Sequence, residues 1–360
     1  MEFLDIFLNN TEFYFISTIV LSLTLAYLFY ILFMELGRRH TFKRKTRRLL
    51  ALLQKKHIPR LVFFILILTY IAFQVNDIFV NEHNEWDEFY ITPYIDSCTL
   101  FDLPQERAVL KFYQFCASNI IFGTPKMIPF IISIGVLVLS FLITNRITKS
   151  QYAGLFTIAI ITWSDIFRHG STTMSFSMEW VFFLLVSMYL MFSRPASTGV
   201  FYLVSLFGKG IGLLYIPVMI YFAYNNKTHW KTVALSLGTV VIIALLYTVF
   251  IGNHLVQTNV YPAFNIDSIA TILYNPIWNF TQETNDMMIL FFILPLSLIW
   301  TWKINRGIFA LILYTFTMQI WLPLFSEYPM GSYRMIPTIV FLGIGFGVSV
   351  QYFLLKNFHK

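Results

Sequence analysis

The chain has 360 residues, 57% of them hydrophobic and only 12% charged, with a formal net charge of +7 and a mean hydropathy of +0.67. Apolar runs of about 20 residues, enough to span a hydrocarbon core of roughly 30 Å, recur along it, so a polytopic membrane protein is expected. The intervals between the runs leave no room for a separate soluble domain, and the positive charge does not point to nucleic acid, because most of it sits in one loop beside the first run.

In chain order the expected helices fall near residues 13–35, 60–80, 126–146, 150–164, 172–192, 198–208, 211–224, 231–251, 286–302, 306–322 and 334–355. That is an all-α membrane protein with about eleven transmembrane helices. The first run follows an acidic stretch and reads as an anchor rather than a cleaved leader. Residues 1–60 form an extra N-terminal helix with a basic loop, and residues 61–360 form the main transmembrane module, with outer loops at about 81–125 and 252–285.

Orientation follows from lysine and arginine, which hold short loops on the cytoplasmic side. The first loop carries Arg38, Arg39, Lys43, Arg44, Lys45, Arg47, Arg48, Lys55, Lys56 and Arg60. If it lies inside, alternation also places Arg146, Lys149, Arg194, Lys227, Lys231, Lys303, Arg306, Lys356 and Lys360 inside. Arg107, Lys111, Lys126, Arg168, Lys209 and Arg334 are then outside, and the acids go with them. Only Glu35 falls inside, and Glu179 reads as lying about two turns into its helix. The basic loop also suits anionic lipid headgroups.

The first outer loop holds both cysteines, Cys98 and Cys116, for which one disulfide and two free thiols are both open; no metal-ligand spacing is present. From about Arg107 to Ile121 the loop becomes amphipathic, with Val109, Phe112, Phe115 and Cys116 at helical spacing beside Lys111 and Gln114. An amphipathic helix along the membrane interface reads this way. Of the sequons, Asn9-Asn10-Thr11 and Asn279-Phe280-Thr281 fall outside, and Asn226-Lys227-Thr228 faces the cytoplasm.

Chemistry concentrates on the outer side. Glu85-Trp86-Asp87-Glu88-Phe89-Tyr90 sets a carboxylate pair between aromatics at the membrane surface. There a general base can meet an acceptor hydroxyl where water is partly excluded. A solvated acidic loop with an aromatic belt fits the same residues. Four further stretches bring cations to that face: Lys126 at the head of a helix, Arg168 and His169 after Trp163, Lys209 in Gly208-Lys209-Gly210, and Arg334 after Tyr333. Fixed cations at a bilayer surface suit a lipid phosphate, because they offset charge developing on a departing oxygen. Singly, each also fits an interfacial residue snorkelling to headgroups. Glu179 is an intramembrane carboxylate, functional or else hydrogen-bonded structurally. His83, His169 and His254 share no ligand spacing.

The order of these motifs resembles the GT-C superfamily of membrane glycosyltransferases that use polyprenyl-phosphate-linked sugars, among them protein O-mannosyltransferases and aminoarabinose transferases of lipid A. Asp87-Glu88 looks like the acidic pair of that family's first outer loop, and the stretch ending at Ile121-Phe122-Gly123 is similar to its interfacial helix. The resemblance covers residues 61–350 and implies a GT-C-like fold with its active site on the extracytoplasmic face of the cell membrane. It implies Asp87 as base, with Glu88 orienting acceptor or donor. Arg168, Lys209 and Arg334 are the candidates for the carrier phosphate, and Trp86, Tyr90, Tyr333 and Lys126 complete the substrate site. Where the family often has a further acid near the head of a middle helix, this chain reads Ser171, Thr172, Thr173 and Met174.

The expected partners are a polyprenyl-phosphate-linked sugar donor, a glycan, lipid or protein acceptor, and membrane lipid, without nucleic acid. No cofactor is assigned, and a divalent metal is left open. The alternatives are a polymerase of lipid-linked glycans, which usually lacks so early an acidic pair, and a transporter or flippase for a lipid-linked or anionic solute. Paired broken helices in two halves would mark the transporter, and the sequence shows no such internal symmetry.

Overall fold

The computed structural model describes residues 58–79, 95, 98, 109–174, 178–251, 286, 288–321 and 332–358. Over them the chain is all-helical, 90% helix and without a strand. In order the α-helices are α1 (Ile58–Ile78), α2 (Val109–Phe122), α3 (Met127–Thr148), α4 (Gln151–Trp163), α5 (Asp165–Thr172), α6 (Met178–Leu190), α7 (Thr198–Gly208), α8 (Ile216–Asn225), α9 (Trp230–Ile251), α10 (Leu294–Ile304), α11 (Arg306–Trp321) and α12 (Ile336–Phe358). Short 3-10 turns at Pro195–Ser197, Gly210–Tyr215 and Ser332–Met335 precede α7, α8 and α12, and a π-turn at Ile289–Ile293 leads into α10.

Prolines mark where these elements start. Pro217 and Pro295 lie at the first or second positions of α8 and α10, where a missing N–H costs nothing and the fixed φ favours the helix. Pro295 also explains the π-turn before it. Its ring crowds the carbonyl four residues back and cannot donate to it, so the preceding turn widens. Gly123 ends α2 with φ 70 and a bond from its N–H to Asn119 O at 2.8 Å. That left-handed turn is cheap for glycine and reverses the chain into α3.

The helices run up and down, as their cross-bonds show. Tyr70 on α1 shares a hydrogen bond with Ser133 on α3 at 2.8 Å, and the Thr124 hydroxyl reaches Ile78 O at 3.2 Å. Ser187 Oγ donates to Thr198 O and Ser205 Oγ to Trp180 O, which sets α6 against α7 head to tail. Thr144 on α3 and Thr157 on α4 meet at 3.0 Å, and each also returns its hydroxyl to a carbonyl four residues back. These buried hydroxyls are satisfied within the bundle, as an apolar surrounding favours.

The alternation gives the bundle two chemically distinct ends. Arg60, Arg146, Lys149, Arg194, Lys227, Lys303 and Arg306 gather at one, here the basic end. Every described acid, Asp77, Asp165, Glu179 and Asp286, lies at the other with Lys126, Arg168, Lys209 and Arg334. This mixed-charge end collects the residues expected on one side of the membrane.

Two helices, α1 and α3, are long and apolar enough to cross a membrane. The α1 surface carries bare apolar side chains, with Leu68 62% and Phe73 73% exposed. Several other helices are shorter than expected. The 13 residues of α4 and of α6 rise only about 20 Å each, against a hydrocarbon core of roughly 30 Å. Part of the apolar run in residues 211–224 is a 3-10 turn rather than helix. The run expected over 172–192 is divided, since α5 ends at Thr172 and α6 starts at Met178. Glu179 therefore lies in the first turn of its helix, not two turns in. The expected first helix, 13–35, lies outside the described residues.

At the basic end an asparagine junction ties α8 to α11. Asn305 Oδ1 accepts from Asn225 Nδ2 at 3.1 Å and from the Ile308 N–H at 3.0 Å, while its Nδ2 donates to Asn226 Oδ1 at 2.6 Å. Asn305 thus caps α11 and pairs with two neighbours at once. Asn305→Ala is expected to cost about 1–2 kcal/mol for the cap, with more for the stranded amides, and to lower the thermal midpoint of the detergent-solubilised protein. An unchanged midpoint would show the junction to be dispensable. The same bonds hold Asn226, the head of the Asn226-Lys227-Thr228 sequon.

Candidate functional site

The site assembles around α5, the eight-residue helix that follows α4. Ser164 is extended, with φ −66 and ψ 127, and its Oγ accepts from Phe167 N at 3.1 Å. Asp286, 120 residues further on, accepts from Ile166 N at 2.9 Å through Oδ2. Two of the first-turn N–H groups are thereby satisfied, one by a cap from within and one by a carboxylate from outside. Asp286 also places a negative charge at the positive end of the helix dipole. Below, Ile166 and Phe167 are fully buried, and Phe167 packs on Tyr70 with ring centroids 6.1 Å apart.

This anchoring presents Arg168 on the remaining face of α5. Its guanidinium pairs with Asp165 three residues back, and the Arg168 and Asp165 side chains are 36% and 26% exposed. Arg168 Nε is buried without a hydrogen bond. The turn Ser332–Met335 packs against α5 and brings Arg334 to the same place. It is held from α11, where Gln319 Nε2 donates to Arg334 O at 2.7 Å. Two of the three expected phosphate-binding cations therefore stand on neighbouring elements.

Lys209 is placed differently. It closes α7 in extended conformation, with φ −159, where Gly208 lies against Trp180 and Ser205 bonds the Trp180 carbonyl. That puts Lys209 beside the head of α6, which carries the buried Glu179. Its link to α5 runs through α2, which packs on α7 and whose Phe115 clusters with Met174 and Ile95 beyond the end of α5. Lys126 takes the cap position of α3 as expected, but is buried, 7% exposed, rather than snorkelling outward.

The expected catalytic pair, Asp87 and Glu88, lies outside the described residues, as do Trp86 and Tyr90. Tyr333 is placed by its backbone within the turn that carries Arg334. His169 sits on α5, and His83 and His254 lie outside the described residues. Among the described residues no three His, Cys, Asp or Glu side chains gather to hold a metal ion.

Four features go beyond the sequence reading. Cys98 and Cys116 are joined in a disulfide, which settles the alternatives left open. The inward face of α2 includes Gln114 as well as Phe115 and Cys116, so a residue grouped with the polar side is buried. Asp286 is the third, an acid that heads an apolar stretch just after a long outer loop and so carries a signal readable in the sequence. Next to Lys209 an aromatic chain also forms, with Tyr215 edge-on to Trp180 at 5.6 Å and to Tyr314 at 5.4 Å.

No protein-family model, no curated protein and no solved structure matches the chain.

Proposed function

We propose that this protein is a multi-pass membrane glycosyltransferase of GT-C type, transferring a sugar from a polyprenyl-phosphate carrier to a hydroxyl acceptor at the extracytoplasmic face. The observation that carries the reading is the mixed-charge end, where α5 with Arg168 packs on the turn with Arg334 while, among the described residues, basic side chains without acids occupy the opposite end. Basic loop ends stay cytoplasmic. The Cys98–Cys116 disulfide at the mixed-charge end suits an oxidising compartment.

In the reaction Asp87 takes the proton of the acceptor hydroxyl as its oxygen bonds to the sugar's anomeric carbon. The bond from that carbon to the phosphate oxygen breaks, and the carrier phosphate leaves with the electron pair. Glu88 orients acceptor or donor, and Trp86, Tyr90, Tyr333 and Lys126 line the substrate. Arg168, Arg334 and Lys209 offset the charge on the departing phosphate. Arg168 can serve while paired, because guanidinium offers five N–H donors and Asp165 occupies only part of them. The acceptor is a glycan, lipid or protein.

Purified protein mixed with polyprenyl-phosphate sugars and a hydroxyl acceptor is expected to release free polyprenyl phosphate. Movement of the intact lipid-linked sugar across a vesicle membrane without transfer would instead favour the transporter reading. Orientation has its own check. With both cysteines joined, the native chain offers no thiol to a maleimide. Asn84→Cys should react with an impermeant maleimide on intact cells, and Lys227→Cys at the basic end only after lysis. The opposite pattern inverts the proposed topology.

A further inference from the structure

Asp286 is buried completely, yet only one of its oxygens is used. Oδ2 takes the Ile166 N–H, while Oδ1 is buried with no hydrogen-bond partner. A cap alone does not require this, because asparagine or serine would accept the same N–H without a second buried oxygen. Two residues beyond Ile166, Arg168 Nε is likewise buried without a hydrogen-bond partner. A donor on the first turn of α5 and an acceptor on the residue bonded to that turn thus both stand unsatisfied, and buried polar groups in folded proteins are otherwise paired. A metal ion could complete the carboxylate but not the guanidinium, whereas a hydroxyl-bearing phosphate ester supplies a donor for one and an acceptor for the other.

We infer that Asp286 Oδ1 and Arg168 Nε form the sugar-hydroxyl subsite of the donor, Asp286 accepting a hydrogen bond from a ring hydroxyl and Arg168 donating to a neighbouring oxygen. This rests on the glycosyltransferase reading above and adds what it lacks, a residue that distinguishes a glycosylated carrier from a bare one. Both groups are tied to the first turn of α5, Arg168 as a residue of that helix and Asp286 through the bond it accepts from Ile166 N.

Asp286→Asn separates the two roles of the side chain. Its amide oxygen still accepts from Ile166 N, so α5 stays capped, but its NH2 cannot accept a hydrogen bond from a hydroxyl. Binding to purified protein in nanodiscs would be measured with undecaprenyl-phosphate mannose, undecaprenyl-phosphate glucose and bare undecaprenyl phosphate. Native protein should prefer at least one sugar-bearing lipid. The asparagine variant should keep its thermal midpoint and its affinity for the bare carrier, while its affinity for the preferred sugar lipid falls about 10- to 100-fold, the scale of one hydrogen bond to a charged group. Unchanged sugar-lipid affinity in Asp286→Asn, with loss only in Asp286→Ala, would reduce Asp286 to a cap and overturn the inference. So would a native protein that binds all three lipids equally, which leaves the transferase reading standing. If the native protein binds none of them, that broader reading fails as well.

Discussion

Asp87→Asn is expected to lower sugar transfer by roughly 10²- to 10⁴-fold, the usual contribution of a general base, while the protein still folds and inserts. The change is nearly isosteric, so packing and membrane insertion have little reason to respond. Chemically it is decisive, because the amide cannot take the proton of the attacking hydroxyl. Donor binding should be little altered, since the carrier phosphate is assigned to Arg168, Arg334 and Lys209 rather than to Asp87. The measurement is turnover at saturating donor beside donor affinity. A large loss of turnover with near-native affinity supports the base, and near-native turnover removes Asp87 from the mechanism. Glu88→Gln should be milder, because orienting a substrate contributes less than accepting its proton.

The sorting of the charges to two ends of the bundle was legible because it depends on composition at segment ends. Apolar run length and lysine and arginine placement are strong signals even where helix boundaries drift, and the alternation from Arg146 to Arg306 survives in the structure. The elements that build the site were less visible. Asp165–Thr172 has no apolar run of its own, so the expected helix 150–164 takes in Ser164 rather than leaving it as the cap of a new helix. Once α5 is separated, the start of α6 shifts and Glu179 moves to the bundle end. The bond from Ile166 to Asp286 spans 120 residues, and no local pattern encodes a contact of that range. Gln114 was assigned outward because it is polar, whereas the packing of α2 on α3 and α7 buries it.

The other large effect is expected at Gly347, in a seam between α12 and α4 that looks in the sequence like ordinary glycine in an apolar helix. A Cβ there would lie 2.3 Å from Ala153 O and 2.3 Å from Thr157 Oγ1, and 3.1 Å from Thr144 Cγ2. A backbone carbonyl in a helix cannot step aside, so the two helices must separate. Close approach through small residues is how helices associate where lipid supplies no hydrophobic drive. Gly347→Ala should cost about 1–3 kcal/mol as overpacking, and Gly347→Leu considerably more, seen as a lowered thermal midpoint and reduced yield of monodisperse protein. Gly343→Ala should be gentler. Its Cβ meets Ile161 Cγ1 at 2.6 Å, a side-chain atom that can rotate, and Thr157 O only at 3.2 Å. The seam also has a functional consequence, because α4 leads through Ser164 into α5 with Arg168 and α12 follows directly from the turn with Arg334. Spreading α12 from α4 at Gly347 should therefore move the two cations apart. A Gly347→Ala protein that still folds should bind bare undecaprenyl phosphate more weakly than native protein, and a Gly343→Ala protein close to native. If Gly347→Leu matches the native protein in midpoint and carrier affinity, the seam does not set the spacing of Arg168 and Arg334, and the two-cation phosphate site loses its structural basis.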